Sequence, residues 1–153
     1  MSASKKNLFI DMDGVLVDFE SGINKLSEKD KVKYFGQYDN APGIFALMDP
    51  ISGALDAINA LKHKYNVHIL STSPWDNVGA LSDKLSWIRR YFGDSDGNPF
   101  YKKVIFSHEK NLIKGDILID DRMKNGADEF SGRLIQFGSG RFPDWSAVLE
   151  ELL

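Results

Sequence analysis

The sequence predicts an α/β domain built on a parallel sheet, and three observations carry that reading. Short apolar runs bounded by polar residues or glycine recur at 8–10, 67–70, 104–106, 117–119 and 134–137. Segments with helical spacing lie between or after them. Residues capable of chemistry follow the runs, where the carboxyl ends of strands in an open parallel sheet place their ligands.

The runs are rich in Ile, Val, Leu and Phe, too short for helices and mostly unalternating, as strands buried on both faces should be. Leu55, Ile58 and Leu61 form one helical stripe, Leu81, Leu85, Ile88 and Phe92 a second, and Trp145, Val148, Leu149 and Leu152 a third. Trp87, Tyr91 and Phe92 read as core packing. Strands alternating with helices give a five-stranded parallel sheet. Residues 20–49 break the rhythm, with no strand run and weak helical patterning, and read as a small helical insertion after the first strand.

Composition bounds the rest. A chain of 153 residues with 42% hydrophobic residues supports one domain, 1–153, with a core that needs no disulfide or metal staple. A balance of 19 Lys and Arg against 22 Asp and Glu is poor material for a nucleic-acid binder. Zero Cys excludes thiolate chemistry and favours a reducing, cytoplasmic setting. The N-terminus lacks the apolar run of about 7–15 residues that a secretory signal needs. No stretch approaches the ~18 apolar residues of a membrane helix.

The chemistry-bearing residues are Asp11 and Asp13 in DMDGVLVDF, Ser71, Thr72 and Ser73 in ILSTSP, Ser107, His108 and Lys110 around the third run, and Asp120 and Asp121 in ILIDDR. Gly14 lets the chain turn sharply after the first two acids. Four carboxylates at one sheet edge repel one another and need a cation. An all-oxygen ligand set favours a hard ion, Mg²⁺ over zinc. His108 reads as a loop histidine.

DMDGV, a strand ending in Ser/Thr, a downstream Lys and a strand ending in DD, in that order, together resemble the haloacid dehalogenase-like (HAD) phosphohydrolases. The likeness sharpens toward the 5′(3′)-deoxyribonucleotidases. DMDGVLVDFESG is similar to their nucleophile segment, STSP to their CTSP, WIRRYFG to their tryptophan-to-YFG helix, and PDWSAVL to their closing helix. Lys110 stands ten residues before Asp120, as that family spaces its phosphate-binding lysine. The similarity spans nearly the whole chain except residues 20–43, where the family has a larger helical cap. The shortened cap has no tryptophan, so few aromatic surfaces are expected to stack a base. Phe35, Ile44 and Phe45 are left to cover the site or to meet a second copy in a homodimer.

The resemblance implies a HAD-like Rossmannoid three-layer domain and Mg²⁺-dependent phosphomonoester hydrolysis through an aspartyl-phosphate. Asp11 is then the nucleophile and Asp13 the acid and base. HAD-type ATP-driven pumps carry Thr at that second position, and Asp13 argues instead for hydrolysis. Mg²⁺ would be held by Asp11, the Asp13 backbone carbonyl and Asp121, with Asp120 as ligand or support. Thr72, Ser73, Lys110 and Lys84 would contact phosphate, and Phe19 the base or sugar. The expected substrate is a small phosphomonoester, first a deoxynucleoside monophosphate. The alternative is another small phosphate such as a sugar phosphate. A third reading, a catalytically idle binding domain, would be marked by loss of Asp11, Asp13 or the DD pair, and all are present.

Overall fold

The computed structural model describes residues 4–153. The chain runs β1 (Asn7–Ile10), β2 (Val17–Asp18), α1 (Phe19–Asn24), α2 (Glu28–Lys33), α3 (Ile44–Leu47), β3 (Asp49–Pro50), α4 (Ala54–Leu61), β4 (Asn66–Ser71), α5 (Ala80–Phe92), β5 (Val104–Phe106), β6 (Ile117–Asp120), β7 (Arg133–Gln136) and α6 (Trp145–Leu152). All five predicted runs become strands of one parallel sheet, ordered β5-β4-β1-β6-β7. The last sits one residue earlier than its apolar run, which leaves Phe137 buried just beyond the strand.

β1 is central, so the chain extends the sheet to one side through β4 and β5, then to the other through β6 and β7. That reversal opens a crevice at the carboxyl end of β1, where open α/β sheets bind ligands. Both faces of β1 are buried. Leu8 and Ile10 join the larger apolar cluster with residues of α4, α5 and α6. Phe9 alternates to the other face and meets Leu70, Leu118, Ala127 and Phe130.

Helix α5 corrects the expected stripe. Leu81 and Leu85 are 47% and 44% exposed, and the inward residues are Ala80, Lys84, Trp87 and Ile88. The helix turns this way because Lys84 satisfies buried oxygens and the Trp87 indole N–H donates to the Met48 carbonyl at 2.8 Å. Hydropathy spacing does not register a lysine on a core face.

Segment 20–49 holds three helices of four to six residues, each too short to show a period. Side-chain caps start the first two: Asp18 accepts from Ser21 N–H, and Ser27 from Asp30 N–H. The two ends of the segment are drawn together by β2 and β3, which pair Val17 with Pro50 and Asp18 with Asp49. The Trp145 indole N–H donates to Val15 O at 2.8 Å and fixes the turn before β2. No described helix is long and apolar enough to cross a membrane.

Candidate active site

The backbone leaving β1 makes the first half of the site. Asp11 N–H continues the ladder to Ile119 O, and the Met12 carbonyl then accepts the N–H groups of Val15, Leu16 and Val17. This tight turn requires φ +77° at Gly14. A Cβ there would lie 2.1 Å from Asp121 Oδ2, so glycine also makes room for that carboxylate.

Two lysine-centred groups form behind the turn. Lys110 Nζ lies 3.1 Å from Asp11 Oδ1 and 2.7 Å from Asp120 Oδ2, all three side chains buried. Lys84, wholly buried, donates to Asp13 Oδ2 at 3.1 Å, Ser71 Oγ at 2.9 Å and Thr72 O at 2.8 Å. These contacts match its three donors, and its ammonium also sits 4.6 Å from the Phe45 ring centroid.

The carboxylates of Asp11, Asp120 and Asp121 offer oxygens that all lie within 4.8 Å of one another. Burial pushes Asp11 well above the ordinary 3.8; Lys110 pulls it down, while Asp120, Asp13 and Asp121 push it further up. Asp121 is raised as well, chiefly by burial, against the lowering effect of its hydrogen bond with Asp11. For Lys110, burial favours the neutral amine, but Asp11 and Asp120 outweigh it and hold the ammonium above 10.5. Among the described residues, Asp13 Oδ1, Asp121 Oδ1 and Ser73 Oγ are buried without a hydrogen-bond partner. An acid-rich cluster of hard oxygen donors, one orphaned, fits a divalent cation such as Mg²⁺. Asp13 keeps its carboxylate outside that cluster, which leaves only its backbone carbonyl as a candidate ligand.

The predicted residues therefore gather at one end of the sheet. Asp13, Phe19, Thr72, Ser73 and Asp121 line a cavity, Asp11, Lys110 and Asp120 a narrow recess that shares Asp13 and Thr72 with it, and Lys84 is buried against Asp13. Thr72 Oγ1 donates to Ser107 O at 2.7 Å, whereas Ser73 lines the cavity, of about 660 Å³, with its hydroxyl buried and unpartnered. Phe19 lines the same cavity and packs edge-on against Phe45, centroids 5.9 Å apart. Tyr38 and Phe45 also line it, so segment 20–49 supplies more aromatic surface than its lack of tryptophan suggests. Their spacing along the chain is irregular and offered no periodic signal. Of the apolar residues in that segment, Phe35 is 79% exposed while Ile44 and Phe45 are buried.

Arg122 reads from the sequence as an anchor of the DD turn, and two further residues, Asn125 and Asn77, escaped that reading. Arg122 and Asn125 reach both this cavity and the narrow recess beside Asp11 and Lys110, and the Asn125 carbonyl accepts Lys110 N–H at 2.7 Å. Asn125-Gly126 has φ of +54° and +81°, and the Asn-Gly pair was the available signal for such a left-handed turn. Asn77 reaches from the loop after β4 into segment 20–49.

Comparison with solved structures defines the fold. The HAD hydrolase YfnB of Bacillus subtilis, solved with bound magnesium, superposes with a TM-score of 0.62 at 12% identity, over 98% of this chain and 99% of that one. The fold is thus that of the HAD-like hydrolases. Residues 20–143 match the family described as 5′ nucleotidase, deoxy (pyrimidine), cytosolic type C protein. A protein of Vibrio phage KVP40 grouped by name with the 5′(3′)-deoxyribonucleotidases is 51% identical over 97% of this chain and 85% of its own. The 5′(3′)-deoxyribonucleotidase of Bacillus subtilis strain 168 is 32% identical over 97% of this chain and 99% of its own. The chain belongs to this nucleotidase family and is a phosphomonoester hydrolase.

Proposed function

We propose that the protein is a Mg²⁺-dependent 5′(3′)-deoxyribonucleotidase that releases phosphate from deoxynucleoside monophosphates through an aspartyl-phosphate on Asp11. The observation that carries this is the pairing of Asp11 with Lys110 at a narrow recess and of Asp13 with Lys84, where Asp13 lines both that recess and the aromatic-lined cavity. A nucleotidase family match and relatives named for that substrate class support it.

In this reading an Asp11 carboxylate oxygen attacks phosphorus, and the ester P–O bond breaks as Asp13 gives its proton to the leaving alkoxide. Asp13 then takes a proton from water, whose oxygen attacks phosphorus; the acyl-phosphate bond breaks and Asp11 is restored. Lys110 holds Asp11 and Asp120 in register and neutralises phosphoryl charge. Ser73, with backbone N–H groups of the same loop, binds a phosphate oxygen, and Thr72 braces that loop against Ser107. Lys84 holds Asp13 rather than reaching phosphate, because its donors are already engaged.

Asp11, Asp121 and the Asp13 carbonyl would hold Mg²⁺, with Asp120 orienting the set through Lys110. The ion supplies charge neutralisation on the phosphoryl oxygens. Residues 20–49 act as a small cap within the single domain 1–153, and Phe19, Tyr38 and Phe45 give the nucleoside its apolar walls.

The test is phosphate release from the four deoxynucleoside monophosphates, a sugar phosphate and phenyl phosphate, each with Mg²⁺ and with excess chelator. Nucleotides should lead in kcat/KM and chelation should abolish turnover. Faster turnover of the sugar phosphate overturns the substrate assignment, and undiminished turnover with metal verified absent overturns the metal assignment.

A further inference from the structure

We propose that Asn77 is a positioning residue, which docks the Tyr38–Asn40 turn over the cavity and so sets affinity for the nucleoside without touching the reacting phosphate. The inference rests on the deoxyribonucleotidase reading and deepens it.

Asn77 lies five residues beyond Thr72, in the loop that leads from the phosphate end of β4 into α5. Its own backbone is fixed, since its N–H donates to Pro74 O and its carbonyl accepts from Ala80 N–H. Its side chain is buried, and the single amide nitrogen donates to two carbonyls of segment 20–49, Asp39 O at 3.0 Å and Ala41 O at 3.1 Å. These bonds span 38 and 36 residues of sequence. Both amide hydrogens are thereby used, a requirement that a serine, an aspartate or an aliphatic side chain at this position would not meet.

The turn held in this way carries two cavity-lining residues, Tyr38 and Asp39. Tyr38 is placed further by an edge-on contact with Phe35, centroids 6.3 Å apart. Asn77 itself does not line that cavity. One side chain thus links the phosphate-binding loop to the wall of the leaving-group pocket. A substrate with a large leaving group reads the position of that wall; a phenyl ester, which ends short of it, reads mainly the phosphate loop.

The experiment measures kcat and KM for a deoxynucleoside monophosphate and for phenyl phosphate in Asn77→Ala and Asn77→Asp, beside the wild type. Losing the dock should raise the nucleotide KM about tenfold, in line with loss of a buried hydrogen bond, and move phenyl phosphate less than about threefold. Asn77→Asp keeps the shape but sets a carboxylate against two carbonyls, and should show the same split. Tyr38→Ala provides a variant that leaves Asn77 in place; it should show the split too, and the Asn77→Ala/Tyr38→Ala double variant should fall short of additivity. Equal losses on both substrates, an unchanged nucleotide KM, or strict additivity with Tyr38→Ala would overturn the assignment. Failure of the wild type to hydrolyse nucleotides while it hydrolyses phenyl phosphate counts separately, against the substrate reading itself.

Discussion

Lys84, with no exposed surface, places its ammonium 3.1 Å from Asp13 Oδ2 and completes its coordination with Ser71 and the Thr72 carbonyl. A lysine buried on the inner face of a helix is stable only with its donors matched, and here the match fixes the carboxylate proposed to move the proton. Lys84→Met should therefore lower kcat by about 10²-fold, the lower range for disabled acid–base catalysis, and leave KM within about threefold. A raised KM at unchanged kcat would show instead that Lys84 contacts the substrate phosphate.

The same lysine marks a limit of what the sequence made legible. The strands were readable because short apolar runs between polar residues leave few alternatives, and the acids were readable because they follow those runs at Ile10 and Ile119. The inward face of α5 was readable only in part: Trp87 and Ile88 are buried as their spacing predicts, but Lys84 is interior while Leu81 and Leu85 are exposed, the reverse of hydropathy. Helices α1 to α3 are each shorter than two turns, so their positions come from tertiary contacts that no period encodes. Asn77 meets Asp39 and Ala41 through bonds across the fold, which a linear reading does not contain.

Gly14 links turn geometry to the acid cluster. Alanine there would have to hold φ +77°, at about 1–2 kcal/mol, and would set a methyl group 2.1 Å from Asp121 Oδ2. The carboxylate must move. Gly14→Ala should raise the Mg²⁺ concentration for half-maximal activity about 10- to 100-fold, as disturbed support of metal ligands does elsewhere. A Mg²⁺ titration of turnover checks this, and an unchanged midpoint would remove Asp121 from the proposed ligand set.

Asp11→Asn should abolish turnover yet stabilise the metal-free protein. Burial holds the Asp11 carboxyl well above 3.8, so the folded chain keeps a proton that the unfolded chain releases. Its contribution to stability is full below pH 3.8 and is lost as pH rises through the elevated folded value. The amide removes that penalty at neutral pH, and Lys110 retains Asp120 at 2.7 Å. Each kcal/mol recovered is worth about 2–4 °C in Tm for a chain of this size. Melting curves in chelator at pH 7 and pH 4 should show the variant ahead at the first and the gap narrowed at the second. A lower Tm at pH 7 would contradict the argument.

His68 should give stability the opposite slope. It sits beside Phe9 with ring centroids 5.0 Å apart and Nδ1 3.2 Å from Asn66 O. Burial lowers its pKa below 6.5; the Asn66 carbonyl opposes this and Lys103 adds to it. The unfolded chain therefore takes up the proton first as pH falls, so the contribution is full above pH 6.5 and lost below it. His68→Phe keeps a ring against Phe9 and should lose less stability than the wild type between pH 7 and pH 5. Parallel denaturant midpoints across that interval would exclude His68 as a source of the pH dependence.

Phe19 separates two ways in which the cavity could recognise a nucleoside. Its ring lines the cavity beside Tyr38 and Phe45, and the edge-on contact with Phe45 fixes its orientation. A stacked base gains ~1–3 kcal/mol from an aromatic face in single-strand binding, whichever base it is. With two other aromatic walls remaining, Phe19→Ala should raise the nucleotide KM by about tenfold, toward the lower part of that range. Phenyl phosphate, which ends closer to Asp11, should change less. Because stacking does not read the hydrogen-bonding edge, all four deoxynucleotides should lose affinity in parallel. The measurement is KM for each of the four with wild type and variant. A loss confined to one base would mean that Phe19 orients the base for edge contacts, and no loss in any would place the nucleoside against another wall.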